Sequence, residues 1–133
     1  ISFADLVLHK SIISNLVSLN HDFTMVIDTL KVLESTMRVS ISNDSLNTIT
    51  TTSVSEADGN FIGVAKINKN GCKRLISQMS EIINASKNDY YTIAIDKLAR
   101  KGVLVNYLDV KNIIWREIDT RDEYQEAKLL NWN

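Results

Sequence analysis

The chain has 133 residues, 44% of them hydrophobic and 23% charged, with fifteen basic against sixteen acidic residues and a formal net charge of -1. That length buries roughly two thirds of the unfolded surface in one soluble domain without a structural metal, and the single cysteine, Cys72, excludes an intramolecular disulfide. No apolar run is long enough for a membrane span and no block of like charge offers a nucleic-acid surface, so a small ligand and a cytoplasmic setting are expected.

Proline is absent, against about 5% on average, so turns rest on the four glycines and on Asn, Asp and Ser. The chain opens inside an apolar stretch, Ile1-Ser2-Phe3-Ala4, and reads as a piece of something longer. Ile1 to Phe3 is predicted as the end of a buried strand, with Asp5 where it stops. From His9 to Leu19 the apolar residues Ile12, Ile13, Leu16, Val17 and Leu19 fall at helical spacing. Phe23 to Ile27 is a β-branched apolar run closed by Asp28, a buried strand. Strand, helix, strand predicts two parallel neighbours with the helix on one face.

From Thr29 to Ser55 the pattern loosens into short, less buried strands. Ala57 to Asn60 supplies a turn, and Phe61 to Ile67 reads as a strand interrupted by Gly63, which marks a bulge or a close approach of something to the backbone. Asn68 caps a helix through Leu75, Ile76, Met79, Ile82 and Ile83. A further helix from about Asp89 to Arg100 ends at Gly102. Val103 to Tyr107 and Asn112 to Ile118 are the last strands, and Thr120 begins a helix with Asp122 and Glu123 in its first turn. The fold class is α/β, with a mixed, mostly parallel sheet flanked by helices, in one domain over 1–133.

Ligands of open α/β sheets gather beyond the carboxyl ends of strands, where Asp5, Asp28 and Asp119 stand. Asp5 and Asp119 are 114 positions apart. Brought together, they make a hard, oxygen-rich Mg²⁺ site with open positions for phosphate oxygens. The alternative is that each Asp caps the helix that follows it. His9 and His21 have no metal-spaced partners, which excludes a zinc pattern, and Cys72 reads as a packed thiol. Lys97, Arg100 and Lys101 read as a solvated helix end, with phosphate contact by one of them as the lesser alternative.

Three stretches carry a resemblance: Gly59-Asn60-Phe61-Ile62-Gly63-Val64-Ala65-Lys66-Ile67, Asp89-Tyr90-Tyr91, and the segment from Glu117-Ile118-Asp119-Thr120 through Lys128. Together with Ser2-Phe3-Ala4-Asp5, where Ala4 replaces the more usual Gly, the chain resembles the carboxyl-terminal half of small enzymes of the sugar-phosphate nucleotidyltransferase superfamily. Its nearest look is the cytidylyltransferase branch that handles phosphocholine and 2-aminoethylphosphonate. The resemblance implies a Rossmann-like nucleotidyltransferase fold and Mg²⁺ held by Asp5 and Asp119. It further implies transfer of a nucleotide, CMP first, from a nucleoside triphosphate to a small phosphorylated or phosphonate acceptor.

On the same resemblance, Asp89, Tyr90 and Tyr91 receive the acceptor's cationic head, Trp115 adds a wall and Gly63 lies at the substrate. Core packing and capping remain open for Asp89 and Tyr91. The family's Gly-rich phosphate loop has no counterpart here, since Gly59, Gly63, Gly71 and Gly102 are scattered. The nucleotide-binding half is therefore expected to be lost or to lie outside the chain, and the 133 residues alone are expected to be inactive. The rival expectation is a non-catalytic binding or assembly module that retains the fold. A sheet cut short also exposes a strand edge, which predicts self-association into a homo-oligomer.

Overall fold

A computed structural model describes residues 1–33, 36–50, 53–83 and 91–132. The elements, in order, are β1 (Leu6–Leu8), α1 (Lys10–Ser18), β2 (Phe23–Asp28), β3 (Arg38–Ser42), β4 (Ser45–Thr50), β5 (Gly59–Ile67), α2 (Lys69–Ile83), α3 (Tyr91–Arg100), β6 (Asn106–Asp109), β7 (Trp115–Glu117) and α4 (Arg121–Lys128), with a 3-10 turn at Val54–Glu56 before β5. A five-stranded sheet has the order β4-β3-β5-β2-β6, and β1 and β7 form a separate two-stranded sheet.

The α/β class holds, but the sheet is not mostly parallel: only β2 and β6 run in the same direction, and the other three pairings are antiparallel. The reason lies in the connections. The β3–β4 hairpin and the return into β5 reverse the chain without a helical crossover, and only the passage through α2 and α3 delivers a strand parallel to β2. The predicted parallel opening unit is likewise not formed. Residues 1–3 are extended, yet they run antiparallel to β5: Ile1 and Ala65 exchange backbone hydrogen bonds at 2.9 Å, and the Phe3 N–H donates to the Gly63 carbonyl at 3.0 Å. β1 pairs with β7 and not with β2.

β2 shows why the core has two sides. Phe23, Met25 and Ile27 point into a large apolar cluster with Leu75 and Ile82 of α2 and Ile95 and Leu98 of α3. Val26 points the other way, into a smaller cluster with Ile12 and Leu16 of α1 and Trp115 of β7. This alternation is the two-residue period of a strand buried on both faces.

The helix-end signals at Asn68 and Gly102 are realised, whereas Cys72, read as a packed thiol, is exposed. Asn68 Oδ1 accepts from the Asn70 and Gly71 N–H groups at 2.9 Å, capping α2. Gly102 takes φ +85° after α3, where its N–H donates to Ala99 and that of Val103 to Leu98. The last strands are shorter than predicted, beginning at Asn106 and Trp115. The outer strands of the curled sheet are tied together, since the Leu46 N–H donates to the Val105 carbonyl at 2.9 Å. Across the gap, Asp96 of α3 accepts the Ile49 N–H at 2.8 Å and the Arg100 Nε–H at 2.7 Å.

Candidate metal centre and its two clefts

The short β1–β7 ladder unites the ends of the chain. Leu6 lies opposite Glu117, and the Ile118 N–H donates to the Asp5 carbonyl at 2.8 Å. Asp5, Glu117 and Asp119 each thereby offer a carboxylate oxygen, all within 4.8 Å of one another. Neither aspartate caps a helix. The α1 cap is His9, whose Nδ1 accepts from the Ser11 N–H, and the α4 cap is Thr120. The capping alternative therefore falls for both.

Glu117 was not singled out from the sequence. The strand period exposes it, because Trp115, Glu117 and Asp119 are two residues apart and share one face. Burial, followed by the charges of Asp119, Asp5 and Glu123, pushes the Glu117 carboxyl above its ordinary range. Such a set of hard, mutually repelling oxygen donors fits a divalent cation of the Mg²⁺ class.

Asp119 is placed by the start of α4. Glu123 Oε2 accepts from the Asp119 N–H at 2.9 Å and the Thr120 N–H at 2.8 Å, while Thr120 Oγ1 accepts from the Glu123 N–H, a complete capping box. These bonds hold the Glu123 carboxylate below its usual range.

Two clefts meet at Glu117. The first, of about 400 Å³, is lined by Phe3, Asp5, Met37, Phe61, Gly63 and Trp115 among others, with no basic side chain. The second, of about 290 Å³, includes Lys31, Arg116, Asp119 and Glu123. Thr36, Trp115 and Glu117 border both.

Gly63 performs both tasks read from the sequence. The β2–β5 register slips beside it, and at φ +86° a Cβ would lie 2.6 Å from the Phe3 ring. Trp115 is a fixed wall, donating its indole N–H to Asp28 Oδ2 at 2.7 Å. Asp28 is thereby occupied, its other oxygen accepting the Leu30 N–H at 2.8 Å.

The loop after β2 is held by Asn60, whose side-chain role no local sequence pattern marks. Buried to 1% exposure, Asn60 accepts from the Leu33 N–H and Thr36 Oγ1 and donates to the Lys31 and Asp28 carbonyls. Tyr91 stands one ring back from the first cleft, edge-on to Phe3 at 6.3 Å. Its hydroxyl has no partner among the described residues, and burial pushes its pKa up to about 12. Asp89 and Tyr90 lie outside the described residues.

No family model matches the chain. No curated protein matches it in sequence. Its fold, however, is similar to about half of the fold of several solved nucleotidyl- and cytidylyltransferases, in line with the fold that the sequence resemblance implied. It is similar to the inositol-1-phosphate CTP transferase from T. maritima, with a TM-score of 0.69 and 17% identity over 90% of this chain and 48% of that one. It is also similar to a glucose-1-phosphate thymidylyltransferase candidate from Bacillus anthracis, at TM-score 0.67 and 12% identity over 97% and 54% of the two chains. For the CTP:phosphocholine cytidylyltransferase from Streptococcus pneumoniae the values are 0.66 and 15% over 96% and 54%. The chain thus spans about half the length of each. Among the described residues no helix is long and apolar enough to cross a membrane.

Proposed function

We propose that the chain is the carboxyl-terminal, acceptor-side portion of a Mg²⁺-dependent nucleotidyltransferase, with CTP as donor and a small phosphorylated or phosphonate acceptor, releasing pyrophosphate. The observation that carries this is the meeting of Asp5 and Asp119 with Glu117 at the junction of two clefts, in a nucleotidyltransferase fold. Asp5 and Asp119 hold the metal, and Glu117 adds a third carboxylate. Bound there, Mg²⁺ supplies charge neutralisation at the α-phosphoryl group.

The chain's own residues supply the positioning. The capping box fixes Asp119, and Asp28 fixes the Trp115 wall. An acceptor oxygen that is already anionic needs no general base: it forms the bond to the α-phosphorus as the α–β bridge breaks and pyrophosphate leaves. Both clefts hold more carboxylates than cations, but Lys31 and Arg116 line the second alone, which supports an acceptor whose anionic end lies there. The rings of Phe3, Phe61 and Trp115 suit an ammonium head in the first cleft, whereas Lys31 and Arg116 suit the phosphate or phosphonate in the second. Asp89, Tyr90 and Tyr91 are assigned to the head's surroundings, Tyr91 acting through Phe3. The nucleotide-binding half belongs to the remainder of the parent protein, without which this chain does not turn over.

The test is pyrophosphate release by the full-length parent with Mg²⁺, crossing CTP, UTP, ATP and dTTP with phosphocholine, 2-aminoethylphosphonate and sugar 1-phosphates. Activity with CTP and a zwitterionic acceptor, falling by roughly a hundredfold or more in Asp5→Asn and Asp119→Asn, is the expected result. No release from any pair by the folded protein would leave a non-catalytic module that retains the fold.

A further inference from the structure

The layer that covers the other face of the sheet is strongly basic. Although the chain carries a net charge of -1, α2, α3 and the residue after them hold Lys69, Lys73, Arg74, Lys97, Arg100 and Lys101 against only Glu81 and Asp96. Both acids are spent. Asp96 is bound by Arg100 and the Ile49 N–H, and Glu81 accepts from Lys101 Nζ at 3.2 Å and the Gln78 amide at 2.8 Å.

Between the two helices runs a groove of about 430 Å³, as large as the cleft beside the carboxylates and sharing no residue with either cleft there. Lys73, Arg74 and Lys101 line it beside the Glu81 carboxylate that Lys101 pairs with, Leu98 and Val103 give it apolar surface, and Ser77 adds a hydroxyl. One wall is fixed, because the buried Gln78, 4% exposed, accepts from Lys101 Nζ at 2.7 Å while donating to Glu81. Among the described residues Lys73 and Arg74 form no ion pair.

We propose that this groove is a second binding site, for a small phosphorylated molecule that carries a planar heterocyclic ring, taken up without a metal. The Arg74 fork and the Lys73 ammonium, neither of them in an ion pair among the described residues, match phosphate oxygens with charge-assisted hydrogen bonds. Leu98 and Val103 offer the ring an apolar face, as small-molecule sites commonly do around a few placed charges. The site is independent of the proposed transferase reaction, since it contains none of the residues assigned to it.

The probe is CDP, titrated into the folded chain in EDTA so that the carboxylates hold no metal, with amide chemical shifts as the readout. Saturable binding is expected, with shifts concentrated in α2 and α3 and affinity falling as salt rises. The double variant Lys73→Glu, Arg74→Glu, at two exposed positions, is expected to weaken binding about tenfold or more with an unchanged melting curve. The control Arg121→Glu, on α4, is expected to bind as the parent does. Non-saturating shifts spread over all basic residues would overturn the proposal, as would equal affinity in the double variant. Inorganic pyrophosphate binding as tightly as CDP would overturn the part given to Leu98 and Val103.

Discussion

The two faces of the central sheet differ in what they ask of their side chains. Towards α2 and α3, β2 contributes Phe23, Met25 and Ile27 to a large continuous apolar cluster, closed by helices whose charges lie outward except for Asp96. Towards α1 and the β1–β7 ladder, it contributes Val26 to a smaller cluster that gives way at Trp115 to three converging carboxylates. Stability is concentrated on the first face, and the second carries like charges that folding alone would disfavour. Departures of this kind from locally consistent design are characteristic of functional sites.

The largest expected effect lies on the packed face. Phe23→Ala removes a fully buried ring and is expected to cost about 3–5 kcal/mol in urea unfolding, a large part of a typical domain's stability. If Asp5→Asn cost as much, the contrast between the faces would fail. Next comes the frame of the carboxylate site: Thr120→Ala loses one half of the α4 capping box and is expected to cost about 1 kcal/mol in the same measurement.

The smallest effect has the opposite sign. The fold holds the Glu117 proton more tightly than the unfolded chain does, so this group destabilises the metal-free protein above its raised pKa. That penalty fades as pH falls through the raised value and is gone below the ordinary carboxylate range. Glu117→Gln is therefore expected to melt slightly higher than the parent at pH 7 without metal, with the difference vanishing in acid. A lower melting temperature at pH 7 would show that repulsion does not dominate there.

The parts of this molecule legible in the sequence were those whose causes are local. Asn68, Gly102 and Thr120 mark helix ends because caps are settled within a few residues. Gly63 announced a bulge because few other residues take its backbone angle. The order of the strands was not legible: whether residues 1–3 join β2 or β5 depends on partners more than sixty positions away for β5, and no local pattern encodes that choice.

The candidate site shows the same division. Asp5 and Asp119 were found through their places after predicted strands and through the family resemblance, and Glu117 was within reach of the two-residue period. Asn60 was not, because the loop that its amide organises has no periodicity of its own. Asp28 carried the same strand-end signal as Asp5, yet the fold gives its carboxylate to the Trp115 indole and the Leu30 N–H.

The hydrogen bond from Leu46 to Val105 bears on the order of folding events. It joins strands far apart in the chain, and the α2–α3 pair lies in the sequence between them. Closing so long a loop is entropically costly until other contacts have shortened it, so this seam belongs among the late steps of folding. The Leu46 amide is accordingly a sensitive reporter: its hydrogen-exchange protection records whether the sheet has closed on itself, separately from whether the individual hairpins have formed.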